Sequence, residues 1–168
     1  MEPLRHALQL PTCISTRLAT FIYITTVHTN IPQDHQDRTV WLWEQIAARY
    51  KDNAWVAGYN PLNEPCDPEH VRLPAFYDRL EPAIRKVDPN HMLWLDGNTF
   101  AMEWRGFNKV LPNCVYAMHD YSGHGFPTGQ PWKGTEEQKT NLEKAYLRKA
   151  LFMRQYKTPI CEFLHLTS

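Results

Sequence analysis

Asn63-Glu64-Pro65 is where residue types and their order together suggest chemistry in this sequence. The tripeptide closes a proline-punctuated stretch, Asn60 to Pro65, that follows a strand-like run from Trp55 to Tyr59. The C-terminal tips of parallel strands are where α/β sheets build their sites. A glutamate at such a tip can give or take a proton. Pro65 disfavours the right-handed helical region for Glu64, which predicts an extended backbone at that residue. Strict strand alternation would send Asn63 and Glu64 to opposite faces, so both reach one cleft only if the strand breaks at the prolines. Taken alone, the tripeptide is equally the sequence of a solvated loop carboxylate.

Other side chains could share such a cleft. His119 and Tyr121 stand two apart on a strand pattern and so project to one side; they either line a cleft or pack along the strand. Trp132 lies in a long loop beyond that strand, where its ring could stack on a ligand. Trp94 sits in a strand interior and reads as core, while Trp41 and Trp43 belong to a helix and read as packing, with Trp43 inward. Asp96, before Gly97, either lines the site or forms a turn. The histidines show no H-E-x-x-H spacing, so no metal is expected, and no cofactor motif is present.

The elements that would position these residues alternate. Helical spacing runs from Asp37 to Lys51 through Val40, Trp43, Ile46, Ala47 and Tyr50. After the strand at Trp55 to Tyr59, a helix is predicted near Glu69 to Lys86, with Pro82 expected to kink it. A short strand at Met92 to Leu95 follows, and then one at Cys114 to His119. Thr135 with Gln138 has the capping-box pattern and opens a helix reaching about Tyr156. A last strand spans Pro159 to Phe163. Strand and helix in this rhythm mean an α/β chain with a parallel sheet. Leu18 to Val27 reads as a buried strand with no assignable partner.

With 168 residues the chain suits a single domain, and 18 basic residues balance 18 acidic ones, so no nucleic-acid or anionic membrane partner is expected. The apolar stretch at 18–27 is too short to span a bilayer, and no membrane association is expected. No signal peptide is legible, which makes the cytoplasm the default location. Four widely spaced cysteines are expected as free, partly buried thiols. Oligomeric state is not written in these patterns.

The run Gly58-Tyr59-Asn60-Pro61-Leu62-Asn63-Glu64-Pro65 resembles the fourth-strand signature of glycoside hydrolase family 5, the cellulase family. The helix from Gln36 to Asp52, the segment Leu95 to Phe100, His119-Asp120-Tyr121 and Pro159-Ile160 with Glu162-Phe163 resemble neighbouring parts of that family in the same order. The resemblance implies part of a (β/α)8 TIM barrel over residues 36–168, with residues 1–35 an unassigned N-terminal segment. It implies a carbohydrate partner and retaining hydrolysis of β-glucans or β-glucosides by two carboxylates. By the same resemblance Glu64 is the acid/base and Glu162 the nucleophile. Asn63 would bind the sugar 2-hydroxyl, His119 would touch substrate, Tyr121 would orient the nucleophile, and Trp132 would offer a substrate-binding face.

The chain also departs from that pattern. A complete barrel takes about 250 residues and eight strands, whereas the strands recognised here correspond to the fourth through seventh. His28 is a faint candidate for the third-strand histidine. Two residues are missing between Ile160 and Glu162 relative to the family pattern. That preserves face by the period of two but lowers the carboxylate by roughly 6–7 Å along the strand. Retention needs carboxyl groups about 5–5.5 Å apart. An inactive, truncated carbohydrate-binding remnant of the family is therefore the alternative reading.

Overall fold

The computed structural model describes residues 20–25, 33–119 and 131–163. Over these residues the order is β1 (Thr20–Thr25), α1 (Gln33–Tyr50), β2 (Val56–Asn63), α2 (Arg72–Val87), β3 (Met92–Asp96), a one-turn α3 (Asn98–Ala101), β4 (Cys114–His119), α4 (Glu136–Tyr156) and β5 (Ile160–Phe163). The strands form one sheet in sequence order, β1-β2-β3-β4-β5, and every pairing is parallel. Consecutive parallel neighbours joined by helices are the arrangement of a barrel wall.

β1 falls within the run that the sequence left without a partner, and it pairs with β2 from Thr20↔Val56 to Thr25↔Asn63. If β2 to β5 stand for the family's fourth to seventh strands, β1 holds the place of the third. His28 lies outside the described residues.

β2 runs longer than its apolar core predicted, reaching Asn63 through Pro61. α2 continues as one helix with Pro82 inside it. Thr135 caps α4 as its sequence predicts: the Thr135 hydroxyl accepts from the Gln138 N–H, and the Gln138 side chain accepts from the Thr135 N–H in return. No disulfide joins Cys66, Cys114 and Cys161 to one another.

The two faces of the sheet differ in kind. Tyr59, Leu93, Leu95, Cys114, Tyr116 and Met118 join Trp43, Ala47, Leu73, Leu80, Ile84 and Phe152 in one buried cluster, the side covered by helices. Trp104 links α4 to β4 there, stacked on Phe152 at 4.9 Å and edge-on to Tyr116 at 5.3 Å. Alternate strand positions carry Asn60, Trp94, Asp96, Ala117 and His119 on the other side. Polar residues on that second side are buried all the same.

Trp41 was expected to pack but is 60% exposed. It stands two residues from the fully buried Trp43, about 200° around a helix of 3.6 residues per turn, so both rings cannot face the core. The strand-interior Trp94 is buried as expected.

Gly58 shows how tightly β2 lies against β3. A Cβ there would come 2.2 Å from the Met92 carbonyl oxygen and 2.4 Å from the Trp94 ring. Gly58→Ala is expected to lower the urea midpoint by the equivalent of about 1–3 kcal/mol, the usual range for overpacking. Thr135→Ala removes the cap of α4 and is expected to cost about 1 kcal/mol in the same measurement. Gly at 135 should recover most of that loss, because glycine also tolerates the extended cap backbone.

Candidate active site

The site is built at the C-terminal tips of β2, β3 and β4. β2 ends at Asn63, and Glu64 turns the chain with a φ of 53°. The extended backbone expected from Pro65 is therefore replaced by a left-handed one. Proline excludes the right-handed helical region before it, but the direction of the turn is set elsewhere: the Glu64 N–H points to Asp96 on the neighbouring strand and donates to its Oδ2 at 2.8 Å. A left-handed non-glycine residue is strained by about 1–2 kcal/mol. Strain of this kind collects at functional positions.

The Glu64 side chain is 24% exposed, and its Oε1 lies 2.7 Å from His119 Nδ1. His119 ends β4 with a side chain 5% exposed. The other ring nitrogen, Nε2, stands 3.5 Å from Asp96 Oδ2. His119 thus bridges two carboxylates, one partly exposed and one sealed. The carbonyl of His119 accepts from Lys149 Nζ on α4 at 3.1 Å, and Lys149 is itself buried.

Asp96 is fully buried. Its Oδ1 accepts from Asn60 Nδ2 at 2.7 Å, and its backbone carbonyl accepts from the Tyr77 hydroxyl at 3.0 Å. Burial pushes its carboxyl above the usual carboxylate range; the Glu64 N–H and the Asn60 amide pull the other way without cancelling that rise. Burial likewise holds the Tyr77 phenol well above its ordinary value.

The loop after Glu64 is tied to the loop after β3. Asn98 Oδ1 accepts from the N–H groups of Asp67 and Thr99 at 2.7 and 2.8 Å. Asn98 Nδ2 donates to the Asp67 carbonyl at 2.8 Å and meets His70 Nδ1 at 2.7 Å. The Phe100 N–H donates to the carbonyl of Pro65 at 3.1 Å. Asp67, buried, accepts from the N–H groups of Glu69, Arg72 and Leu73 and so closes the start of α2. Thr99, Phe100 and Ala101 all have positive φ. Three left-handed residues in a row persist only where surrounding bonds over-determine them.

Of the residues singled out in the sequence, Glu64 and His119 come together directly. Asn63 is half-buried and pairs with Thr25 across the β1–β2 boundary. Trp132 is 50% exposed, on a loop end anchored to α4 where Gln138 bonds the backbone of Pro131 and Lys133. Tyr121 lies outside the described residues. Glu162 is placed through its backbone alone, paired with Met118, while Cys161 pairs with Ala117 and Phe163 with His119. Asp96 and Asn60 are the polar residues whose part sequence reasoning missed or left open. The signal for Asp96 was the Asp-Gly ending of an apolar strand, and nothing local marked Asn60.

Residues 20–161 match the family model Cellulase (glycosyl hydrolase family 5). The chain is 51% identical over 125 residues to a β-xylosidase of Phanerodontia chrysosporium, covering 72% of this chain and 26% of that protein. It is 31% identical over 88 residues to an endoglycoceramidase of Cyanea nozakii, covering 44% of this chain and 18% of that one. The chain thus spans about a quarter or less of the curated relatives it matches. Among solved structures, Cel5A of Thermotoga maritima, in complex with mannotriose, superposes with a TM-score of 0.70 at 23% identity over 85% of this chain and 53% of that one. The cellulose synthase subunit Z of Clostridioides difficile gives 0.72 at 20% identity over 85% and 54%. The structural likeness carries the fold and the family match carries the lineage: the chain belongs to the cellulase family, glycosyl hydrolase family 5, and forms part of its (β/α)8 barrel.

Proposed function

We propose that the chain supplies the acid/base half of a retaining β-glycosidase cleft, acting on β-glucans or β-glucosides. The observation that carries this reading is the environment of Glu64: a partly open carboxyl at a strand tip, on strained backbone, in contact with a buried histidine. A proton donor needs a carboxyl reachable by substrate yet shielded enough to hold its proton near neutral pH. Glu64 protonates the leaving oxygen, and its conjugate base then activates water. His119 steadies that carboxyl from behind while its strand tip borders the substrate. Asn63 takes the sugar 2-hydroxyl, Tyr121 orients the nucleophile and Trp132 stacks on a sugar ring. Glu162 is the nucleophile. The relative named β-xylosidase adds a β-xyloside to the substrates worth testing.

One observation favours a second reading. Backbone pairing sets Glu162 beside Met118, a residue of the helix-covered core, and sets Phe163 beside His119. A chain with that register keeps the acid side of the cleft and binds sugar without forming a glycosyl-enzyme.

Hydrolysis of aryl β-glucoside and β-xyloside separates the two. On the first reading wild type turns over, and Glu64→Gln and Glu162→Gln each lose about 10²–10⁴-fold in kcat. Binding by calorimetry without turnover establishes the second reading, and neither binding nor turnover sinks both. Trp132→Ala is expected to weaken binding of an oligosaccharide about three- to tenfold, the loss of roughly 0.5–1.5 kcal/mol of ring contact. A single-sugar ligand that does not reach the ring should be unaffected.

A further inference from the structure

The geometry points to Asp96 as a positioning residue for the proton donor, setting the Glu64 backbone and the His119 ring from one buried carboxylate oxygen. This rests on the acid/base reading of Glu64 and deepens it.

Oδ2 of Asp96 lies at once 2.8 Å from the Glu64 nitrogen and 3.5 Å from His119 Nε2. The far side of the same ring meets the Glu64 carboxyl at 2.7 Å. Backbone and side chain of Glu64 are therefore both referred to one atom, directly on the first path and through His119 on the second. The simple turn role fails on the hydrogen bonds present. An aspartate that shapes its own turn accepts the N–H two residues on. Here the Asn98 N–H goes to the Glu103 carbonyl, and the Gly97 N–H goes to the Ala117 carbonyl. Asp96 directs both oxygens away from its own turn instead, to Asn60 on β2, to the Glu64 N–H just past its end, and towards His119 on β4.

Sealing a carboxylate from water is costly unless it is bonded, and a neutral amide oxygen could have accepted the Glu64 N–H. A charged acceptor makes that hydrogen bond shorter and stronger than a neutral amide oxygen would. Among the described residues, the titratable groups facing this cluster include Glu64 just past β2, His119 from β4, the Tyr77 hydroxyl from α2 at the Asp96 carbonyl, and Lys149 from α4 at the His119 carbonyl.

Asp96→Asn keeps the volume and one acceptor, and a turn of the Asn60 amide brings its oxygen, which has no hydrogen-bond partner among the described residues, towards the new NH2 group. The test compares this variant with wild type on phenyl β-glucoside, whose leaving oxygen needs a proton, and on a dinitrophenyl β-glucoside, whose phenolate leaves unaided. The expected result is a fall of about tenfold to a hundredfold in kcat/KM, which reports the step that protonates the leaving oxygen, on the phenyl substrate alone. Equal rates on both substrates, or an equal loss on both, overturns the positioning role while leaving Glu64 as acid/base. Absence of sugar turnover in wild type overturns the acid/base reading and this proposal with it. Should Asp96→Asn not fold, NMR of the wild-type chain decides. The Glu64 amide proton is expected to shift with pH in step with the Asp96 carboxyl carbon, and independent titrations overturn the proposal.

Discussion

A parallel strand that stops leaves its last N–H and C=O groups without ladder partners, and buried groups of that kind must be bonded elsewhere. At the tips of β2, β3 and β4 the requirement is met largely by side chains from the next strand or loop. Asp96 takes the N–H where β2 turns, Tyr77 takes the carbonyl of Asp96, and Lys149 takes the carbonyl where β4 ends. Asn98 does the same between the two loops beyond. The candidate active site is thus the place where backbone bonding has run out and side chains have replaced it. Its rigidity follows from that substitution.

The sheet below makes this affordable in energetic terms. One face is an aromatic and aliphatic core of Trp43, Tyr59, Leu93, Tyr116 and Phe152, with the rings of Trp104, Tyr116, Phe107 and Phe152 in mutual contact. Burial on that side drives folding without help from the tips. The opposite face carries Asn60, Asp96 and His119, whose desolvation is offset by their bonds to one another and to Glu64 and the Trp94 carbonyl. In β3 and β4 the period of two along the strand separates the core side chains Leu93, Leu95, Tyr116 and Met118 from the polar Asp96 and His119.

Much of this architecture was legible in the sequence, and the reasons it was legible are local. Helical periodicity around Trp43, the Thr135–Gln138 pattern and the apolar run from Cys114 each act through neighbours a few residues away. The Asn-Glu-Pro run and the His119 strand showed where polar side chains emerge. What escaped depended on distant partners. β1 could not be paired from its own composition because pairing is decided by β2. Pro65 shows which backbone region Glu64 avoids, but the left-handed turn is fixed by an oxygen 32 residues away in sequence. Asp96 read equally as a site residue or a turn residue from its sequence, and only the cross-strand bonds distinguish the two roles. Trp41 looked like core because tryptophan usually is, and only the helical phase set by Trp43 places it outside.

The left-handed torsion at Glu64 also sets folding and use against each other. Glycine or asparagine would occupy that torsion with less strain, so stability by itself disfavours glutamate at this position. If Glu64 serves as the proton donor proposed above, a descendant freed of that role could relax the bend by exchanging this one side chain and keep the rest of the sheet. Glutamate here is thermodynamically the poorer tenant, and such residues are the usual sign of a trade between robustness and activity.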